Sequence, residues 1–443
     1  MKPVRSLLVA AAAFVLLAPT FTALRAQPAQ AAPDQLDLKA AIGFAVGNNF
    51  AIRQARERIK QQEGIVTQVT AQQLPTVAAT GSYQRNSTEI SQTYPQSDRY
   101  WTVSVIATQT LYAGGGVRSS IRSSDLAREA ALLDLKSVVN DALLSVRTAF
   151  YSVLLDREKI TVQEKNVELL QQQLKDVSNR FDAGTVSSFE KLRAEVALAN
   201  AKTPLITARN DYRLALESLR QALGLTGAGA QSKPLDVVGS LDYTPVEFDL
   251  AAAFGSAKAN LPALQRLDKL AKSNEESVTT ARSGYLPTVA AYGGWGLAKG
   301  LTDSFDDSFQ GWEVGVKSQW NIFDGRATAG KVSQARSVLQ QSRLSFDEAE
   351  LSAEVAVRRA YSSWQEATEL ADASKKVTGQ AEEAVRLANA RYSAGTSTQL
   401  DVLQAQVDLT TARTNELQAY YTYVVAVATL RNAMGLSDEL VVE

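Results

Sequence analysis

Between Trp101 and Leu111 the chain alternates: Trp101, Val103, Val105, Ala107 and Leu111 share one parity, and Thr102, Ser104, Thr108 and Thr110 the other. A period of two is that of a β-strand with one apolar and one polar face. The same alternation returns at Trp312, Val314, Val316, Trp320 and Ile322, set against Glu313, Gly315, Lys317, Gln319 and Asn321. Between these stretches the period changes. Val167, Leu170, Leu174, Val177 and Phe181 are spaced by 3 and 4 residues, the seam of paired long helices.

The recurrence is a duplication. Asp37 matches Asp249, Asn48 matches Asn260, and the run LPTVAA at Leu74 returns at Leu286, all at an offset of 212. Beyond the hairpins the offset is 211, pairing Trp101 with Trp312, Gly114 with Gly325, Arg180 with Arg391, Gly184 with Gly395 and Leu225 with Leu436. A period of this length is too long for a solenoid, so each copy is a module in its own right.

Each module reads helix, strand, loop, strand, very long helix, turn, helix. Repeat 1 spans 32–225, with a first helix over Leu38–Gln73, strands at 74–86 and 99–112, a long helix at 117–182 and a last helix at 187–223. Repeat 2 spans 248–436, with a first helix over Leu250–Ser283, strands at 286–298 and 309–323, a long helix at 327–392 and a last helix at 398–434. Pro75 and Pro287 end the first helices, because proline lacks the amide donor and clashes with the preceding turn. Gly114, Gly115, Asp324 and Gly325 mark the passage from strand to long helix. The linker 226–247 forms an irregular band around the helices, and the tail 437–443 adds little to it.

About 66 helical residues at ~1.5 Å each make a rod of roughly 100 Å, longer than a globular domain accommodates. The two shorter helices of each module together match the long one and are expected to stack end to end beside it. Strands of this length with one apolar face, one polar face and aromatic ends fit a membrane β-barrel with a wet interior. Four strands cannot close a barrel, and an open edge in lipid leaves unpaired amides. Several chains therefore share one barrel, with Trp101, Val103, Val105, Trp312, Val314 and Val316 facing lipid. The polar hairpin loops at 87–98 and 299–308 face outward.

Lys2 and Arg5, the apolar stretch Leu7–Ala18 and the small residues before Ala32 form an export signal over 1–31, cut after Ala31 or alternatively Ala26. No later segment is read as an apolar helix of spanning length. With 46 basic and 47 acidic residues the net charge is −1, which gives no field for nucleic acid. Cysteine and histidine are both absent. That removes thiol nucleophiles, disulfides, His or Cys metal ligands and triads with a histidine base. No catalytic residue, metal site or cofactor is expected.

The junctions LYAGGG (111–116) and NIFDGR (321–326), and the turns RFDAGTVSSFEKLRAE (180–195) and RYSAGTSTQLDVLQAQ (391–406), carry a resemblance to the TolC-type outer membrane efflux proteins. The resemblance covers essentially the whole mature chain. It implies a homotrimer in which twelve strands form one outer-membrane β-barrel, continued by an α-helical tunnel through the periplasm of a diderm bacterium. It implies a passive exit duct for efflux or type I secretion, in contact with outer-membrane lipid. Its partners are then a periplasmic adaptor (a membrane fusion protein) and an inner-membrane pump of the RND, ABC or MFS type.

The adaptor docks, by this resemblance, at the turns formed by Arg180, Ala183, Gly184 and Thr185 and by Arg391, Ala394, Gly395 and Thr396. Three chains present six such tips. Asp401 matches an acidic ring at the pore constriction, where three carboxylates raise one another's pKa and select cations; Gln404 stands where some members carry a second aspartate. Tyr392 and Glu190 match a hydrogen-bonded pair that holds the closed state, with Ser397 replacing an arginine found in some members. The competing reading is a periplasmic coiled-coil adaptor or scaffold without a pore.

Overall fold

The computed structural model describes residues 35–87, 99–225, 235–299, 307–438 and 440; the export signal and most of both hairpin loops lie outside them. In chain order the elements are β1 (Gln35–Leu36), α1 (Leu38–Asn48), α2 (Phe50–Thr70), β2 (Thr76–Arg85), β3 (Arg99–Ala113), α3 (Gly116–Asp182) and α4 (Ser188–Leu223). The second half repeats the plan with β4 (Asp236–Val237), α5 (Leu250–Asn260), α6 (Pro262–Arg282), β5 (Thr288–Lys299), β6 (Ser308–Gln319), α7 (Ala327–Ser393) and α8 (Gln399–Ala433). Both long helices have 67 residues.

The first helix of each module is broken, contrary to the expectation of one continuous helix. Asn49 leaves the helical region at ψ 131° and caps α2, its side chain accepting from the Ala51 and Ile52 amides at 2.9 and 3.3 Å. In the second copy Pro262 at the head of α6 holds Leu261 extended at ψ 113°, as the residue before a proline prefers. These breaks receive the ends of the last helices. Gly224 sits against Asn48 and Asn49, and Gly435 against Asn260 and Leu261, while Asn49 Nδ2 donates to the Ala222 carbonyl at 2.7 Å. The short helices thus meet head to tail. α3 lies beside α2 and then α4 on one side and beside α6 and then α8 on the other, and α7 continues past α6 and α8.

Four of the strands form one antiparallel sheet in the order β2-β3-β5-β6, with β2 and β6 as open edges among the described residues, while β1 and β4 pair in parallel apart from it. Thr80 pairs with Ser104 and Ser82 with Thr102 on the polar face, their hydroxyls 2.8 and 2.7 Å apart. The other face carries Val77, Val103, Val105, Trp295, Leu297, Trp312, Val314 and Val316. β3 slips register between Thr110 and Tyr112, which ends the alternation before Leu111. β6 stops at Gln319, four residues short of the expected 323. There Trp320 turns its indole N–H onto the Tyr285 carbonyl at 3.1 Å.

The apolar cores lie at mid-height, where α1 and α5 pack against the rods. One core joins Leu36, Ile42, Leu143, Val146, Phe150, Leu154, Leu219 and Leu223; the other joins Ala253, Val357, Trp364, Tyr423 and Leu430. Over one 18-residue stretch of mean hydropathy 1.3, α3 is apolar enough to cross a membrane by composition, so the expectation of no such helix does not hold. Its large apolar residues Leu143, Val146, Phe150 and Leu154 are nonetheless buried in the first core.

Arg157 straps the linker by donating to the Val237 and Gly239 carbonyls at 2.8 and 2.6 Å. The tail contributes more than its length suggested. Asp438 accepts two hydrogen bonds from Arg147 at 2.6 Å each, and Leu440 packs on the first core. Burial pushes the Asp438 carboxyl up, but its bonds to Arg147 and the Leu440 amide, with the charges of Arg147 and Arg431, outweigh burial and hold it below the usual carboxylate range.

Candidate gate and docking tip

At the end of the rods away from the sheet, α3 and α7 turn back into α4 and α8 through the same geometry. Gly184 and Gly395 adopt φ +73° and +72°. The Gly184 amide donates to the Phe181 carbonyl at 2.9 Å and the Thr185 amide to the Arg180 carbonyl at 2.9 Å. In the second copy Gly395 donates to Tyr392 at 3.0 Å and Thr396 to Arg391 at 2.9 Å. This is the Schellman closure of a helix, which needs a left-handed residue after the cap. The threonine hydroxyls reinforce it, Thr185 reaching Arg180 O at 2.9 Å and Thr396 reaching Arg391 O at 3.1 Å. The motif R-x-x-A-G-T thus encodes a complete turn.

A side chain added at either glycine meets nothing within 4 Å. Ala183, Gly184, Thr185, Ala394, Gly395 and Thr396 are all exposed. The tips are therefore rigidly closed and sterically open, a surface a partner can approach.

Asp401 performs a local task that its candidacy as a pore acid did not reveal. It sits in the first turn of α8, and its carboxylate accepts from the Thr398 amide at 2.8 Å, the Thr398 hydroxyl at 2.9 Å and the Ser397 hydroxyl at 3.1 Å. Thr398 in return accepts from the Asp401 amide, completing a capping box. The Thr398 amide, then the Thr398 and Ser397 hydroxyls and the Arg391 charge, hold the Asp401 carboxyl below its ordinary range. Glu190 occupies the same position in α4, where Ser187 caps its amide. The signals S-x-x-E at 187–190 and T-x-x-D at 398–401 stand in the sequence and mark these caps. Gln404 is also engaged, donating to Asp408 at 2.9 Å.

Tyr392 is held by Arg180. Arg180 Nη1 donates to the Tyr392 hydroxyl at 3.2 Å, and its guanidinium lies 5.5 Å from the ring centroid. The expected Tyr392–Glu190 bond is not formed among the described residues. Arg180 ends α3 and Tyr392 ends α7, so this contact ties the two hairpins together at the tip. The residue matching Tyr392 in the first copy is Phe181, which lacks the hydroxyl and lies under Lys191 Nζ at 5.1 Å.

At the opposite end, Gly114 and Gly115 adopt φ +59° and +80°, and Gly325 φ +65°. Arg326, matching Gly115, holds the same left-handed conformation at φ +72°. Asp324 caps the entry to α7 by accepting from the Thr328 amide at 2.7 Å. Its carboxyl is held down first by the Thr328 hydroxyl and then by that amide. Pro75 and Pro287 follow short 3-10 turns and lead into β2 and β5. Val103, Val105, Trp312, Val314 and Val316 are exposed and Trp101 is half-buried, a broad apolar surface that the described residues leave uncovered. Val77, Tyr83 and Trp295 extend it and were not read from the sequence.

A sheet with one apolar and one polar face, carried on two rods of roughly 100 Å, defines an outer-membrane channel protein extended into the periplasm. The sequence profile described as Outer membrane efflux protein matches residues 41–225 and 253–436. The chain belongs to that family. Its relatives include Protein CyaE of Bordetella pertussis, 26% identical over 86% of this chain and 80% of that protein. The cobalt-zinc-cadmium resistance protein CzcC of Cupriavidus metallidurans is 24% identical over 90% of each chain. Among solved structures, the CmeC outer membrane channel of Campylobacter jejuni superposes with a TM-score of 0.78 at 15% identity, over 90% of this chain and 85% of that one. The MtrE channel of Neisseria gonorrhoeae, solved in its open state, gives 0.74 at 19% identity, over 90% and 89%. The protein is thus an outer-membrane channel of the efflux and type I secretion class, a family of channel proteins rather than enzymes.

Proposed function

We propose that three copies of the chain close one twelve-stranded barrel and one helical tunnel, a passive duct opened at its tip by a periplasmic adaptor and an inner-membrane pump. The observation that carries this is the four-stranded sheet whose edges β2 and β6 are both unpaired among the described residues. In a bilayer such edges leave amides unsatisfied at a cost of several kcal/mol each, and pairing β6 of one copy with β2 of the next removes every edge. Resistance and secretion proteins both occur among the relatives, CzcC and the alkaline protease secretion protein AprF of Pseudomonas aeruginosa among them. In this reading the duct is general and the choice of cargo falls to the pump.

In this reading the Schellman turns at Gly184 and Gly395 receive the adaptor, Asp401 lines the constriction, and the Arg180–Tyr392 contact holds the tip closed. That the fold supports an open state is consistent with the gonococcal channel crystallised in one. The test is planar-bilayer recording from the purified protein. Discrete conductance steps with cation preference support the duct, and Asp401→Asn should reduce that preference. Protein that inserts but carries no current even when Arg180→Gln removes the contact to Tyr392 would overturn the reading.

A further inference from the structure

The polar face of the sheet is almost without charge. Across β2, β3, β5 and β6 it carries side chains such as Thr80, Ser82, Thr102 and Ser104, and within these strands only Glu313 and Lys317 bear charge on it. Both are exposed, and they form no ion pair among the described residues. Each faces a small neighbour: Glu313 pairs with Gly294 and Lys317 with Ala290. Between them Gly315 pairs with Tyr292. A Cβ added at Gly315 would lie 2.7 Å from Tyr292 Oη and 2.8 Å from its Cζ. The phenol ring therefore lies over the backbone of β6, in the space between the acid and the amine.

Four residues at ~3.3 Å each, on a strand tilted by about 40°, place Glu313 and Lys317 roughly 10 Å apart along a barrel axis. Glu313 is the outer of the two, since β6 runs from the hairpin loop towards α7. Twelve strands ~4.8 Å apart at that tilt close at a radius of roughly 12 Å, which leaves each charged head about 7 Å from the axis. A separation of ~10 Å is about one Debye length at 0.1 M salt, so neither charge cancels the field of the other. Tyr292 keeps the two heads from meeting along the strand. We propose, on the reading that three copies close one barrel with this face inward, that Glu313 and Lys317 form two stacked rings of opposite charge in its lumen. Such rings select by sign, and here they set the balance between cations and anions, charged cargo included, that pass the barrel.

Three unit charges about 7 Å from the axis change the concentration of a monovalent ion there about fourfold in 0.1 M salt. The experiment reads the reversal potential in planar bilayers under a potassium chloride gradient centred on ~0.1 M. Every protein carries Arg180→Gln, so that the contact to Tyr392 does not hold the tip. Against that parent, Lys317→Gln should raise the cation-to-anion permeability ratio about fourfold, Glu313→Gln should lower it by a similar factor, and the double variant should return close to the parent. If Glu313→Gln fails to insert, Glu313→Ser, which matches the hydroxyl side chains of this face, carries the same expectation. An unchanged ratio in both single variants, or a shift of the same sign in both, overturns the rings and leaves the duct reading intact, because the parent still conducts. A parent that inserts and carries no current removes the duct reading and the rings together.

Discussion

Four glycines end the long and last helices in nearly the same conformation, φ +72° to +74° at Gly184, Gly224, Gly395 and Gly435, yet their surroundings divide them sharply. At Gly395 an added Cβ meets nothing within 4 Å, so a substitution costs only the left-handed strain of a non-glycine residue, about 1–2 kcal/mol. At Gly435 the same atom lies 2.7 Å from the Leu261 amide nitrogen and 2.8 Å from the Asn260 carbonyl carbon. Those are backbone atoms of the α5–α6 break and cannot swing aside. Overpacking there adds a further ~1–3 kcal/mol, for a total of about 2–5 kcal/mol. The assay is the temperature at which the purified trimer dissociates, read by semi-native electrophoresis, alongside export in cells. Gly435→Ala should lower that temperature clearly; Gly395→Leu should leave it within a few degrees of wild type while export falls. A Gly395→Leu trimer as labile as Gly435→Ala, or a Gly435→Ala trimer as robust as wild type, would refute the steric argument.

Further outcomes follow from the same geometry. Asp438→Asn should destabilise the protein by about 3 kcal/mol, measured by denaturant titration, because it removes the carboxylate from a largely buried ion pair. Since folding depresses the Asp438 pKa, the pair's contribution is present above the unfolded value near 3.9 and is lost as pH falls through the lower folded value. Asp401→Asn should loosen the first turn of α8, visible as faster amide exchange at Thr398–Asp401. The depressed Asp401 pKa predicts cation preference undiminished between pH 7 and about pH 5; a midpoint above 5 would show that mutual repulsion in the ring dominates. Arg180→Gln and Tyr392→Phe should each raise channel conductance, and the double variant should add nothing to the larger effect; additive effects would mean the two act separately. Arg326→Gly should stabilise by about 1 kcal/mol in thermal unfolding by relieving left-handed strain.

The architecture was legible because it rests on local periodicity. Alternation at 101–107 and 312–316, the seam through Val167, Leu170 and Val177, and the glycines of R-x-x-A-G-T each declare their structure within a few residues. The breaks at Asn49 and Leu261 were missed because a helical composition continues across them, although Pro262 marked the second. The caps at Ser187 and Thr398, of which the second is a full capping box, were readable from the spacing of S-x-x-E and T-x-x-D. Contacts such as Arg180 with Tyr392 and Arg147 with Asp438 join residues 212 and 291 positions apart. No local pattern encodes them; they exist only once the two repeats lie side by side.

Shared closure is the claim on which the rest depends, and electron cryomicroscopy of the protein extracted from outer membranes tests it most directly. The expected result is three chains around one axis, twelve strands in a single barrel and a helical tube of roughly 100 Å below it. Monomers, or three separate barrels, would contradict it.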